Sequence, residues 1–191
     1  MRPLETWNID ASWTLFLDRD GVINRRKIND YICNIDEFQF LPGTLEALKG
    51  LSRIFSRIIV VTNQQGIGKG LMTETDLQNI HQHMVEQVMK NGGRIDAVFF
   101  SPHLASENST TRKPAIGMAL KAKEQFPEIE FEKSIIVGDS LSDMEFGRRA
   151  GLKTVFVNTD DVKIDVNFTN LQVADLVTFV ELMNESDQKN Q

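Results

Sequence analysis

Cysteine is almost absent from this chain. Cys33 stands alone among 191 residues, which excludes an intramolecular disulfide, a Cys-rich zinc site and an iron–sulfur cluster, and fits a reducing compartment. Basic charge is also in deficit. Lys and Arg number 21 against 27 Asp and Glu, a net charge of −6, so the chain as a whole does not attract nucleic acid or an anionic membrane. No apolar run approaches the roughly 18 residues of a membrane span. Segment 1–13 lacks an apolar stretch and carries Glu5 and Asp10, so it does not read as a signal peptide. The expectation is a cytoplasmic protein without nucleic-acid or membrane partners. Any anionic substrate must be captured by a local cluster of cations.

Apolar residues make up 41% and charged residues 25%, enough to bury one core and no more than the length of one domain allows. That domain is expected to span 1–184, with a polar tail at 185–191 that has no reason to order. Short apolar runs at 13–17, 58–61, 95–100, 134–137 and 154–157 read as strands. Few alternate with polar residues, as strands covered on both faces do not. Between them lie helical spacings: Leu41, Leu45, Leu48 and Leu51 about Pro42-Gly43; Leu77, Ile80, Met84 and Val88 after the N-cap candidate Thr73; Met118, Ala122 and Phe126; then 141–150, stopped by Gly151, and 174–183. The alternation predicts a doubly wound, Rossmann-like α/β fold with a parallel sheet. No internal repeat is present.

Two connections are longer than turns, 21–40 and 101–114, and long loops beside strand ends tend to carry function. Asp18 and Asp20 lie at and just past the first strand, and Asp139 ends the fourth, with Asp143 one helical turn later. If both strands are central, these carboxylates share the crevice where open α/β sheets bind ligands. Like charges about 4 Å apart cost on the order of 4 kcal/mol per pair at an effective dielectric near 20, so the cluster needs a cation. Oxygen-only ligands with no His or Cys select a hard dication, and Mg²⁺ is the expected cofactor. Thr62-Asn63 and Lys113 sit at other strand ends and helix starts, where a hydroxyl, an amide and an ammonium supply donors for phosphoryl oxygens. Taken alone, each of these residues has a plain structural reading as a cap, a turn or a surface charge.

Taken in order, Asp18-Arg19-Asp20-Gly21, Thr62-Asn63, Lys113 and Gly138-Asp139 with Asp143 resemble the four motifs of the haloacid dehalogenase-like phosphatases. The finer wording, Asp-Arg-Asp-Gly-Val-Ile-Asn, Thr-Asn-Gln-Gln-Gly-Ile-Gly-Lys-Gly and Arg-Lys-Pro, is similar to the D-glycero-D-manno-heptose-1,7-bisphosphate phosphatase and histidinol-phosphatase branch. The resemblance implies a fold without a large cap domain. It implies a Mg²⁺-dependent phosphatase in which Asp18 is the nucleophile and Asp20 the general acid and base. The metal would be held by Asp18, Asp139 and the Asp20 backbone carbonyl. Thr62, Asn63 and Lys113 would bind phosphoryl oxygens, Asp143 would support Lys113 or a metal-bound water, and Arg112 and Lys69 would face a second phosphate or sugar hydroxyls. A small phosphorylated sugar or polyol is the implied substrate, handled by a monomer. That branch usually binds a structural zinc through Cys and His before Arg-Lys-Pro. Here the slots hold Ser101, His103, Ser109 and Thr111, and one His cannot hold a structural zinc, so none is expected.

Other signals carry less. Gly66-Ile67-Gly68-Lys69-Gly70 fails the P-loop pattern, which needs Ser or Thr where Gly70 stands. His81 and His83, two apart on a helix, point to different faces and read as surface or partly buried imidazoles. Cys33 reads as a packing residue, and Arg25-Arg26-Lys27 as a solvated loop face that can steer an anion. A phosphoacceptor signalling domain also clusters Asp, Thr and Lys on a doubly wound fold, but a second carboxylate two residues after the nucleophile, placed to activate water, argues for turnover.

Overall fold

The run Leu15-Phe16-Leu17 offers no polar residue to mark a wet face. In the computed structural model, which describes residues 3–158 and 168–189, all three side chains are fully buried. They form the centre of β1 (Thr14–Leu17), flanked by β2 (Arg57–Asn63) and β3 (Ala97–Ser101) on one side and by β4 (Ser134–Gly138), β5 (Lys153–Val157) and β6 (Leu171–Val173) on the other. The strand order is β3-β2-β1-β4-β5-β6, with every neighbouring pair parallel.

Among the described residues five α-helices cover the sheet: α1 (Thr44–Ile54), α2 (Glu74–Lys90), α3 (Gly117–Gln125), α4 (Leu141–Ala150) and α5 (Leu176–Lys189). Because successive strand residues point to opposite faces, the central strands β1, β2 and β4 feed two cores. Leu15, Leu17, Ile58 and Val60 pack with Leu48, Met84 and Phe179 of α1, α2 and α5. Phe16, Ile59 and Ile136 pack with Met118, Ala122 and Phe146 of α3 and α4. Each fully buried side chain of this size stabilises by about 1.5–3 kcal/mol, so both layers are held by the same strands. The expected doubly wound α/β architecture is the one observed.

From β1 the chain winds outward through β2 and β3 and then returns to β4 on the other flank of β1. The order reverses between β1 and β4, which opens a crevice at their carboxyl ends. Leu17 is in register with both Val60 and Val137, and the Asp18 amide donates to the Val137 carbonyl at 2.9 Å. Asp18 therefore stands level with Val61, near the end of β2, and with Gly138, the last residue of β4.

Several elements depart from the expected boundaries, β3 by starting at Ala97 rather than at 95. β2 continues through Thr62 and Asn63, which pair with Phe100 and Ser101. β6 was not foreseen, since three residues at a sheet edge give too short a pattern. The tail expected at 185–191 is helical as far as Lys189, because no Gly or Pro between Asn184 and Lys189 stops propagation; its last two residues, 190–191, lie outside the described residues. Among the described residues no helix is long and apolar enough to cross a membrane.

Candidate active site

Lys113 organises the crevice. Its Nζ lies 2.9 Å from Asp18 Oδ1 and 2.5 Å from Asp143 Oδ1, and donates to the Val61 carbonyl at 2.8 Å. An ammonium has three donors, and all three are used inside the protein. Burial alone would lower the pKa of this lysine, but the charges of Asp143 and Asp18 outweigh it and hold the amine well above the ordinary lysine range. The Lys113 backbone is fixed as well: its amide donates to Asn63 Oδ1 at 2.9 Å and its carbonyl accepts from Asn63 Nδ2 at 3.1 Å.

Asp143 is placed by the start of α4. One of its oxygens accepts from the Ser140 hydroxyl and amide, while the Ser140 hydroxyl accepts from the Asp143 amide, a reciprocal cap. The other oxygen meets Lys113. Gly138 makes room for this carboxylate, since a Cβ there would stand 2.3 Å from Asp143 Cβ. At Gly21 the need is double: φ is +91°, and a Cβ would fall 1.9 Å from Asp139 Oδ2. Only glycine lets the chain after β1 turn over Asp139.

One oxygen each from Asp18, Asp139 and Asp143 lie within 4.8 Å of one another. Burial, then the Asp143 charge, pushes the Asp18 carboxyl up to about 8 against the pull of Lys113. Burial and Asp143 push Asp139 up to about 6, against Arg26, whose Nη1 lies 3.1 Å from Asp139 Oδ2, and against Lys113. The cluster holds more negative charge than its cations neutralise.

Asp20 is in a different environment. Arg19 Nη2 donates to both its oxygens at 2.9 Å, Asn24 Nδ2 donates at 2.8 Å and Gln64 Nε2 at 2.7 Å. Burial would raise this carboxyl, but Arg19 and the hydrogen bonds from Asn24 and Gln64 hold it below the ordinary aspartate value. The Arg19 guanidinium is fully buried and is backed by His81, whose Nε2 lies 3.2 Å from Arg19 Nη1. Burial and the Arg19 charge press the imidazole down to about 3, so His81 is neutral and accepts from Arg19. Gln64 also donates to Thr62 Oγ1 at 2.8 Å, which ties the end of β2 to Asp20.

The sequence matches, over residues 13–178, the family model described as Polynucleotide kinase 3 phosphatase. It is 47% identical over 133 residues, 70% of each chain, to the D-glycero-alpha-D-manno-heptose-1,7-bisphosphate 7-phosphatase of Mycobacterium bovis. The chain belongs to the haloacid dehalogenase-like phosphatases, in the manno-heptose-1,7-bisphosphate 7-phosphatase branch. The corresponding enzyme of Campylobacter jejuni is 37% identical over 149 residues, covering 78% of this chain and 84% of that one. The fold superposes with a TM-score of 0.81 and 28% identity on the D,D-heptose 1,7-bisphosphate phosphatase of B. bronchiseptica, complexed with magnesium and phosphate, over 91% of this chain and 98% of that one.

In this phosphatase the residues singled out in the sequence divide into two groups. Asp18, Asp139, Asp143, Lys113 and Asn63 meet in the crevice, with Thr62 and Asp20 joined through Gln64. Arg112 lies beside them, lining an open cleft of about 410 Å³ with Asn63, Lys113, Ser142 and Arg149, and donates to the His103 carbonyl at 3.2 Å. Lys69 is exposed, its Nζ 5.1 Å from the ring centre of Tyr31, and is not part of the hydrogen-bonded set around Asp18 and Asp20. In the loop, the hydroxyls of Ser101 and Ser109 lie 3.2 and 3.0 Å from Thr111 Oγ1, while His103 Nδ1 lies 3.1 Å from Glu107 Oε2. The three hydroxyls bond to each other and the imidazole takes another partner. Arg19, Asn24, Gln64 and His81 were not read from the sequence as parts of the site. A charged residue wedged between two aspartates at a strand end was the only available signal.

Proposed function

We propose that the protein removes the 7-phosphate of D-glycero-D-manno-heptose 1,7-bisphosphate through an aspartyl-phosphate at Asp18. The observation that carries this reading is the placing of Lys113 against Asp18 inside a cluster of three carboxylates. The names of the relatives support the substrate. The net charge of −6 favours a small phosphorylated sugar over a polynucleotide, because nucleic-acid affinity comes chiefly from Lys and Arg on phosphates.

Asp18, Asp139 and the Asp20 backbone carbonyl would hold Mg²⁺. The fit is one of donor type and charge: oxygen ligands only, with carboxylate oxygens of Asp18 and Asp139 within 4.8 Å of each other and of Asp143, in a cluster short of cations. When bound, the ion supplies charge neutralisation between the Asp18 carboxylate and the phosphoryl group. Lys113 fixes Asp18 for in-line attack on phosphorus, and Thr62 and Asn63 offer donors to the phosphoryl oxygens. Asp143 holds Lys113 in place. Asp20, an ionised carboxylate at rest, gains proton affinity as the substrate's negative charge arrives. It then protonates the leaving alkoxide and afterwards takes a proton from the water that hydrolyses the aspartyl-phosphate. The hydroxyl set of Ser101, Ser109 and Thr111 replaces zinc ligands in the loop, so no structural zinc is needed.

A phosphate-release panel tests the substrate. The manno-heptose bisphosphates, both anomers, are expected to turn over with the highest kcat/KM against hexose phosphates, histidinol phosphate and a 3′-phosphorylated oligonucleotide. A preference for any other member contradicts the assignment.

The metal is tested through stability. Asp18 and Asp139 have folded pKa values of about 8 and about 6 against an ordinary 3.8, so the folded protein binds more protons than the unfolded chain across that window. The stability these protons contribute is full below about pH 4 and is lost as pH rises through the raised values. Metal-free protein is expected to melt at a lower temperature at pH 8 than at pH 6, with Mg²⁺ giving the larger upward shift at pH 8, where fewer protons must be displaced. Scanning calorimetry in EDTA and in Mg²⁺ checks this; an equal shift at both pH values contradicts it.

A further inference from the structure

Arg19 lies between Asp18 and Asp20 in the chain and touches both. Its amide donates to Asp18 Oδ1 at 2.7 Å, while its guanidinium faces Asp20, with Nη2 2.9 Å from each carboxylate oxygen and Nε 3.3 Å from Oδ1. A guanidinium is a planar fork with donors on every edge, so its orientation is fixed only when the edge turned away from Asp20 is held too. His81 of α2 holds that edge, its Nε2 3.2 Å from Arg19 Nη1. Arginine has no acceptor, so Nε2 accepts and the imidazole proton sits on Nδ1. The imidazole is itself fixed. A reciprocal cap between Thr73 and Asp76 starts α2, and the His81 ring packs against Phe100 of β3 with ring centres 6.1 Å apart.

We propose that His81 is a positioning residue for proton transfer: by holding the far edge of the Arg19 guanidinium it sets the direction in which the Asp20 carboxyl meets the leaving group. The inference rests on the reading of Asp20 as general acid and base. Three observations support it. Arg19 and His81 are buried, whereas the Asp20 side chain is 27% exposed, so the line of contacts starts in the interior and ends on a carboxylate with an open side. Asn24 Nδ2 donates to Oδ1 of Asp20 and Gln64 Nε2 to Oδ2, while Arg19 Nη2 spans both oxygens; the plane of the carboxylate therefore follows the plane of the guanidinium. Finally, a neutral imidazole satisfies a buried donor of Arg19 without cancelling its charge. A second carboxylate in that place would draw the guanidinium away from Asp20.

The test compares wild type with His81→Gln, His81→Asn, His81→Leu and Asp20→Asn, full-length and with Mg²⁺, on D-glycero-D-manno-heptose 1,7-bisphosphate and on p-nitrophenyl phosphate. A Gln amide oxygen reaches where Nε2 stands; the shorter Asn does not, and Leu has no acceptor. His81→Asn and His81→Leu are expected to lower kcat on the heptose bisphosphate by about ten- to a hundredfold, part of what general acid–base catalysis supplies, with KM within about twofold of wild type. His81→Gln is expected to keep kcat within about threefold. Single-turnover release of p-nitrophenol, whose leaving group departs without a proton, is expected to stay within about twofold of wild type in all three His81 variants. Wild-type kcat in His81→Leu, a Gln variant no better than Asn, or an equal loss in p-nitrophenol release overturns the proposal. So does failure of both the Asn and the Leu variant to fold, followed by circular dichroism, which would assign His81 to structure. If Asp20→Asn turns over the heptose bisphosphate as wild type does, the reading of Asp20 fails instead. A wild type inactive on the heptose bisphosphate contradicts the substrate reading, and the same comparison is then made on the hexose phosphate of the release panel with the highest kcat/KM.

Discussion

Asp18→Asn is expected to remove phosphatase activity altogether, with kcat falling by more than about four orders of magnitude, as when a covalent nucleophile is deleted. The amide keeps the shape of the carboxylate but neither attacks phosphorus nor carries the charge that draws a dication. Stability separates this chemical loss from simple unfolding. Asp18 is one of three crowded carboxylates, and its pKa is raised because the site disfavours its charge. Neutralising it relieves that cost, and Lys113 keeps Asp143 and the Val61 carbonyl as partners. Metal-free Asp18→Asn is therefore expected to melt at or above the wild-type temperature at pH 8, while the rise that Mg²⁺ gives wild type disappears. An inactive variant that melts far below wild type would assign Asp18 to structure rather than to chemistry.

Asp20→Asn is expected to lower kcat on sugar phosphates by about 10² to 10⁴, the usual contribution of general acid–base catalysis. Its Mg²⁺ affinity should stay close to that of wild type, because the proposed Asp20 ligand to the metal is the backbone carbonyl, not the side chain. The three residues that donate to this side chain explain why the loss is confined to proton transfer: Arg19, Asn24 and Gln64 hold position 20, and an Asn there retains an acceptor. The defect should shrink for an aryl phosphate in the first step, whose leaving group departs without a proton, and persist in the hydrolysis step. Steady-state rates on both substrates, with a Mg²⁺ titration, check this. Near-wild-type turnover on the sugar phosphate would remove Asp20 from the mechanism.

The parts of the site at the ends of strands were readable in the sequence. A buried parallel strand declares itself as an unbroken apolar run, so the polar residue that ends it, Asp18 or Asp139, is conspicuous. Supporting residues lack such a marker. Arg19 looks solvent-facing in sequence, yet its guanidinium is buried against Asp20 and His81, a pairing across 62 residues that no local pattern reports. His81 and His83 do take different faces, as their spacing implies. His81 is buried behind Arg19, and His83 lies edge-on to Phe38. The contact of Arg26 with Asp139 spans 113 residues and depends on how the long loop after β1 folds back, which its mixed composition leaves open. The extension of α5 to Lys189 was hidden for the opposite reason, since polar residues of adequate helix propensity resemble a tail until a packed helix leads into them.

In the proposed mechanism the phosphoryl group passes through Asp18. The most direct measurement is to mix Asp20→Asn with Mg²⁺ and an aryl phosphate, quench in acid, reduce with borohydride and sequence the peptides by mass spectrometry. An acyl phosphate at position 18 is reduced there to homoserine, in step with a stoichiometric burst of the aryl leaving group. A burst with Asp18 unmodified, or with the modification at any other residue, would contradict the account.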